Sequence, residues 1–308
     1  MFFAWYNCTM KKIVTHDANF HADDVFAVAT LEIYLDKIGE KYKIIRSRDP
    51  EIWEQGDFVV DTGQIYDEDL NRYDHHQESF REKGHLGIPY SSFGLVWKHF
   101  GMEIVEEKNV WTKFRNEFVT IIDANDNGMI TSQPAIKGLQ PLDPETFIFS
   151  FKPPYNERNE TTMYKAFLEA VSFAKGFLER ELKSMLQKEE SHEEFEKVLK
   201  SKKNILKTDS LTALILPKPM PWKDFLDMDD NDFDFVVSER EEGVWMAQGV
   251  QKNKNTMELK VVKRSWAGLT GDELSEKSGV PNLTFYHKTG YLLVGKTKES
   301  IMEALKKI

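Results

Sequence analysis

The stretch KKIVTHDANFHADDVFAVATLEIYLDKIG, residues 11–39, decides the fold. Residues 12–15 form a short β-rich run that ends in His16 and Asp17. After a loop, an amphipathic segment runs from Asp23 to about Lys37, with apolar Val25, Phe26, Val28, Ala29, Leu31 and Leu35. Asp23 and Asp24 stand where an N-cap and a first-turn acid stabilise a helix, and Gly39 stands where a left-handed residue ends one. Working outward, residues 43–46 and DFVVD (57–61) read as the second and third strands, with a short helix at 50–55 between them. Strands alternating with helices predict an α/β domain built on a doubly wound, mainly parallel sheet.

Beyond this unit, SSFGLVWKHF (91–100) predicts a helix opened by Ser91 and Ser92 and stopped at Gly101. A longer helix is expected over 109–124, ending in the polar turn DANDNG (123–128). Residues 131–160, rich in proline, predict an irregular connection, and 161–203 a helix that becomes densely charged after Glu179. Runs at 211–216, 233–238, 244–250, 258–263, 283–287 and 291–295 predict strands, and 270–278 and 297–307 predict helices, which together make a smaller α+β domain. The expected organisation is an N-terminal extension over 1–11, an α/β domain over 12–160, a helical connection over 161–207 and a smaller α+β domain over 208–308.

Composition limits the function. With 51 Asp+Glu against 41 Lys+Arg the chain carries a formal charge of −10, which argues against a protein that coats nucleic acid through bulk charge. It leaves room for a nucleic-acid enzyme whose cations are bound metal. The single cysteine, Cys8, rules out a disulfide framework and a cysteine-rich zinc site, and points to a reducing, cytoplasmic setting. No apolar window approaches a membrane span.

Histidine is unevenly placed: six of eight fall in the first 99 residues. Four segments carry acids and imidazoles at the ends of strands or helices. THDANFHADD supplies His16, Asp17, His21, Asp23 and Asp24; VVDTG supplies Asp61; YDHHQ supplies Asp74, His75 and His76; IIDANDNG supplies Asp123 and Asp126. In an open parallel sheet such residues converge beyond the carboxyl ends of the strands. Mixed imidazole and carboxylate donors suit Mn²⁺, Zn²⁺, Fe²⁺ or Co²⁺, whereas Mg²⁺ alone prefers oxygen. The surplus of ligands over what one catalytic ion needs points to two ions, which sit about 3.5–4 Å apart when a carboxylate bridges them. Each piece also has a plainer role: Asp23–Asp24 as a helix cap, Asp61 as a turn cap, and Ser91 and Ser92 as an N-cap that doubles as a phosphate-binding helix end. His85 and His99 read as structural.

The order of these segments resembles the DHH phosphoesterase superfamily, whose Asp-His-His triplet appears at 74–76, and within it the melanocyte-proliferating-gene (MYG) family. PWKDFL, FVVSEREEGVWMAQGV, RSWAGLTGDELSEKSGV and TFYHKTGYLLVG extend the resemblance through the second half. It implies a Mn²⁺-type dinuclear site in the first domain, with Mg²⁺, Co²⁺ or Zn²⁺ as other candidates, and a substrate-holding second domain. Carried over by motif, the metal ligands are His16, Asp23, Asp61 as the bridge, His75 and Asp123. Asp74 orients the histidines, and His76 ligates or faces the phosphate. The superfamily's His-x3-Asp-x-Asp is replaced by His16 followed by His21 and Asp23, which puts His21 roughly where an acid stands. The superfamily's glycine-rich GGGH signature is absent, which leaves Lys263, Arg264 and His287 as the candidates for holding phosphate or sugar.

The function implied is a metal-dependent phosphodiesterase, a 3′→5′ exonuclease on RNA. Two alternatives stand beside it: a phosphatase or phosphodiesterase for nucleotides, short oligonucleotides or pyrophosphate, and a regulatory protein that keeps the metal site without chemistry. The stretch KNKNTMELKVVKR (252–264) is the one candidate track for a strand, and the acidic run DFLDMDDNDFDF (224–235) the one candidate partner surface. No membrane partner is expected, and the oligomeric state stays open, with a homodimer one option.

Overall fold

A computed structural model describes residues 10–134, 136–139, 142–241 and 243–308; the extension expected at the N-terminus lies, for residues 1–9, outside the described residues. Strand β1 (Lys11–Thr15) leads into helix α1 (Ala22–Ile38), then β2 (Tyr42–Arg46), α2 (Pro50–Glu54) and β3 (Phe58–Val60). Short β4 (Tyr66–Asp67) and β5 (Arg72–Tyr73) follow, then helices α3 (Ser92–Val105), α4 (Lys108–Phe114), α5 (Thr120–Asp126) and α6 (Pro144–Phe149). The sheet order is β2-β1-β3-β5-β4, parallel throughout except for the antiparallel edge strand β4. The chain therefore adds β2 on one side of β1 and β3 on the other, the switch point at which α/β sheets bind ligands. This is the α/β class expected.

Helix α1 is buried almost all round at its start, from Ala22 to Leu31, because it packs between the sheet and α3. Ile13, Val28, Phe93 and Trp97 anchor that core, each fully buried aliphatic or aromatic side chain contributing about 1.5–3 kcal/mol.

Several local expectations are corrected. Helix α3 runs on through Gly101 to Val105. A Cβ at Gly101 would lie 2.7 Å from the Trp97 ring and 2.9 Å from Trp111, so the glycine makes room for indoles instead of ending the helix. The single helix expected over 109–124 is α4 and α5 joined by a π-helical turn, Arg115–Val119. There Thr120 Oγ1 donates to the Arg115 carbonyl five residues back, and the inserted residue re-aims the face of α5. The connection at 131–160 contains α6, capped by Asp143.

Helix α7 (Glu160–Lys200) follows. The chain forms two compact units, 1–186 and 187–308, and the division falls inside this helix. Phe167, Ala170, Ala174 and Leu178 belong to the first core, whereas Phe195 and Val198 pack with Leu214 and Val236 of the second unit.

The second unit is α+β. Strands β6 (Ile205–Lys207), β7 (Thr212–Ile215), β8 (Phe235–Glu241), β9 (Val244–Gly249), β10 (Leu283–Tyr286) and β11 (Leu292–Gly295) form one sheet, with helices α8 (Trp222–Phe225), α9 (Gly271–Ser278) and α10 (Lys298–Leu305). Its order is β10-β11-β9-β8-β7-β6, and β7 and β8 are the parallel pair. The strand expected over 258–263 is absent. Its segment makes one isolated bridge, Gln251 to Leu259, and Lys263 N donates to the Tyr286 hydroxyl instead of to a ladder. No helix among the described residues is long and apolar enough to cross a membrane.

Candidate metal centre

Three parallel strands deliver the first residues. His16 follows β1, Asp61 follows β3 and Asp74 follows β5, and β1-β3-β5 are neighbours in the sheet. The Val14↔Val59 and Val60↔Tyr73 pairings bring their carboxyl ends level. Asp61 has φ +54, a left-handed conformation uncommon outside glycine; its backbone N–H donates to the Tyr73 carbonyl at 3.2 Å and helps to hold it there. The α1 N-terminus adds Asp23 and Asp24, and the end of α5 adds Asp126.

The side chains converge around Asp61. His16 Nε2 lies 3.1 Å from Asp61 Oδ2 and 3.3 Å from Asp24 Oδ2. His75 Nδ1 is 3.2 Å from Ser92 Oγ, and that hydroxyl donates to Asp61 Oδ1 at 3.1 Å. The Ser92 proton is thus spent on Asp61, so His75 Nδ1 is the donor to Ser92. In the neutral ring, Nε2 then turns a lone pair toward Asp126 Oδ2, 3.0 Å away. Two acceptors face each other there, and a proton or a cation must lie between them. Among the described residues three sets could each hold an ion: His16, Asp24 and Asp61; Asp61, Asp74, His75 and His76; Asp23, His75 and Asp126.

Both carboxylate oxygens of Asp23, and Asp24 Oδ2, are buried without a hydrogen-bond donor among the described residues. Native proteins rarely leave such groups unsatisfied. Imidazole and carboxylate donors with orphaned lone pairs fit divalent cations of the Mn²⁺ type.

The electrostatics follow from the same crowding. Burial and the charges of Asp61, Asp126 and Asp24 push the Asp23 carboxyl far above its usual range. Asp61 is driven the other way: burial would raise it, but the hydrogen bond and charge of His16, with His75 and His76 behind, hold it well below that range. Burial would lower His16, yet Asp61 and Asp24 outweigh it and leave the ring raised. The hydrogen bond to Asp74 lifts His76 to about 9.

Asp74 is saturated. Its Oδ1 accepts from His76 Nδ1 at 2.7 Å and from His76 N at 3.1 Å, and its Oδ2 accepts from Gln64 N at 2.6 Å. Its work is to fix His76, whose half-exposed ring lines a cavity of about 350 Å³ together with His16, His21, Arg48, Trp53 and Asp61.

Of the residues expected as ligands, the structure gathers His16, Asp23, Asp61 and His75, and places Asp123 otherwise. Asp123 Oδ1 accepts from Ser91 N at 2.9 Å and Ser91 Oγ at 2.7 Å, and burial raises its carboxyl to about 7. Asp126, one turn on, takes the place beside Asp23 and His75. Asp24 is the other residue brought in: besides facing His16 it accepts from His21 N at 2.8 Å. His21 is the N-cap of α1, its ring 6.3 Å from that of His16, and it joins none of the three sets. Burial and the charge of Lys152 hold its ring below its ordinary pKa.

Ser91 and Ser92, expected to meet substrate, are fully buried and spend their hydroxyls on Asp123 and Asp61. In the second unit Lys263 Nζ donates to the Lys307 carbonyl at 2.7 Å, Arg264 opens a 3₁₀ turn, and His287 Nδ1 pairs with Thr289 Oγ1 at 2.8 Å. Arg48 and Trp53, which line the cavity, carried no motif in the sequence; the one signal was that both closely follow the second strand.

The chain is similar along nearly its whole length to known proteins. The MYG1 protein YER156C of Saccharomyces cerevisiae is 29% identical over 96% of this chain and 95% of its own. A MYG1 protein of Chlamydia pneumoniae is 31% identical over 96% of both chains. The MYG1 exonuclease of Mus musculus is 26% identical over 94% of this chain and 83% of its own. Among solved structures, RecJ of Thermus thermophilus in complex with Mn²⁺ covers 96% of this chain and 51% of its own at 15% identity, with a TM-score of 0.26, too slight a likeness to argue from. The family described as MYG1_exonuc, Uncharacterised protein family (UPF0160), matches residues 12–308, and the chain belongs to it.

Proposed function

We propose that this protein is a metal-dependent phosphodiesterase, a 3′→5′ exonuclease acting on RNA, with two divalent ions held at the carboxyl edge of the first sheet. The observation that carries this is the set of buried, donorless oxygens of Asp23 and Asp24 beside His16, Asp61, His75 and Asp126. The relatives named MYG1 exonuclease in Mus musculus and Bos taurus support the same chemistry. Asp61, central to two of the three sets, would be the carboxylate that both ions share. His16, Asp23, Asp24, His75 and Asp126 would complete the ligands, and Mn²⁺ is the ion that best suits such donors. A pair of such ions supplies an ionised water near neutral pH and offsets charge on the phosphoryl oxygens.

The chain's own groups do the rest. Ser92 aligns Asp61 with His75. Asp74 holds His76 as a cation whose Nε2, without a partner among the described residues, donates to a phosphate oxygen. Arg48 and Trp53 give the cavity a second cation and an apolar wall.

Incubation with Mn²⁺ and end-labelled single-stranded RNA tests this: stepwise shortening from the 3′ end is expected, and none from His75→Ala. Absence of shortening, or equal shortening by the variant, overturns the proposal. A second reading, cleavage of nucleotides, short oligonucleotides or pyrophosphate, is favoured by the pairing of the lysines at 252–264, which leaves less free charge for a long strand. Turnover on a dinucleotide against a long strand separates the two.

A further inference from the structure

The first unit contains a second and larger cavity, of about 750 Å³, inside the range of about 300–1,000 Å³ typical of small-molecule sites. Three segments wall it: residues 17–19 after β1, Arg46 at the end of β2, and residues 158–164 at the start of α7. It shares a wall with the metal-centre cavity. His16 lines the smaller cavity and Asp17 the larger; Arg48 faces the smaller and Arg46 the larger.

That wall is tied in place. Arg48 Nε donates to Asp17 Oδ1 at 3.1 Å, and its Nη2 lies 3.2 Å from His16 Nδ1. Arg46 donates to the carbonyls of His16, Ala18 and Asn19 at 3.0–3.3 Å, with its guanidinium 4.4 Å from the Phe167 ring centroid. Arg158 differs. It is exposed and anchored through Nε to the Pro153 carbonyl at 3.0 Å, and among the described residues its two Nη nitrogens have no acceptor. Tyr164 is fixed by its hydroxyl, which donates to the Ile44 carbonyl, while the residue as a whole is 36% exposed. A rigid wall, a cation with free donors and a fixed aromatic face match the needs of one nucleotide: charge for the phosphate, a ring for the base.

We propose that this cavity is the subsite for the nucleotide adjoining the scissile phosphodiester, its phosphate held by Arg158 and its base against Tyr164. The proposal rests on the phosphodiesterase reading of the neighbouring centre. It makes the minimal substrate larger than one phosphodiester, and it makes Arg158 a determinant of affinity for oligonucleotides.

Steady-state hydrolysis with Mn²⁺ is measured on bis-p-nitrophenyl phosphate and on a tetranucleotide. The proteins are wild type, Arg158→Glu and, as control, Arg240→Ala, an exposed arginine of β8. In parallel, fluorescence anisotropy measures binding of a labelled phosphorothioate tetranucleotide in Mn²⁺ buffer. For Arg158→Glu, the tetranucleotide KM is expected to rise about tenfold more than that of the small ester, and the anisotropy affinity to fall about tenfold, the scale of one lost charge-assisted hydrogen bond. Unchanged KM ratio and affinity overturn the subsite while leaving the phosphodiesterase reading in place. Weakened binding in Arg158→Glu with no hydrolysis of either compound by wild type overturns that reading and, with it, the place of the subsite beside a scissile bond, and leaves Arg158 as part of a nucleotide-binding site alone. Neither binding nor hydrolysis by wild type overturns both.

Discussion

The carboxyl edge of the first sheet and the 252–264 loop of the second unit are both dense in charge, and they handle it in opposite ways. In the loop each lysine finds a partner: Lys252 with Glu258, Lys254 with Asp229, Lys260 with Asn231, Lys263 with the Lys307 carbonyl. These contacts lie largely at the surface, where water already satisfies both sides and pairing contributes little. At the sheet edge Asp23, Asp24, Asp61 and Asp74 are buried, and two of them keep oxygens without donors. Charge placed that way costs stability unless something positive is bound. Dense charge marks a site only where the fold has also removed the water.

The largest expected effect is at the buried edge. Asp61→Asn should lower kcat/KM by more than about a hundredfold, since even outer partners of metal ligands cost about 10–100-fold. Asp74→Ala, acting through His76, should fall within that outer range. Activity assays in Mn²⁺ check both, and a near-wild-type Asp61→Asn would break the contrast.

Next comes metal itself. At neutral pH, saturating Mn²⁺ should raise the melting temperature over an EDTA-treated sample by about 5–10 °C, the scale of a ligand present at a hundred times its Kd. Hydrogen exchange should place the gain at the ends of β1, β3 and β5 and leave the 252–264 loop unchanged.

The pH dependence of the metal-free protein sharpens the comparison further. Burial raises Asp123 and Glu145 to about 7, and raises Asp23 and Asp24 as well. A carboxyl whose folded pKa exceeds its unfolded value contributes stability that is full below about pH 4 and lost as pH rises through about 7. Melting temperature in EDTA should therefore fall across that window. Glu145→Gln, which keeps an oxygen to accept from Ala22 N, should flatten the slope. A rise with pH would contradict the burial argument.

A smaller effect is expected at Gly94, where a Cβ would lie 2.3 Å from Asp123 Oδ1. Gly94→Ala should destabilise by about 1–3 kcal/mol in urea titrations, overpacking outweighing the gain in helix propensity. Smallest of all, Lys254→Ala should leave the urea midpoint unchanged, because the pair it breaks is exposed.

The sequence alone determined the class of the fold and the neighbourhood of the site. Alternation of strand and helix fixes a parallel sheet, and His16, Asp61 and Asp74 sit directly after strands, so their convergence follows from topology. Which carboxylates join them was decided by tertiary structure. Asp123 and Asp126 are three residues apart on one helix, on the same face, and the sequence offers no way to choose between them. The choice is made when the buried N-terminus of α3 brings the Ser91 N–H and hydroxyl to Asp123, leaving Asp126 for His75. Asp23 and Asp24 are divided in the same manner, Asp24 caught by the His21 N–H and Asp23 left without a donor. The wall of the second cavity joins Arg46 to Arg158 across more than a hundred residues. No periodicity or motif encodes a contact of that range, because it depends on where α7 packs and not on the chain on either side of it.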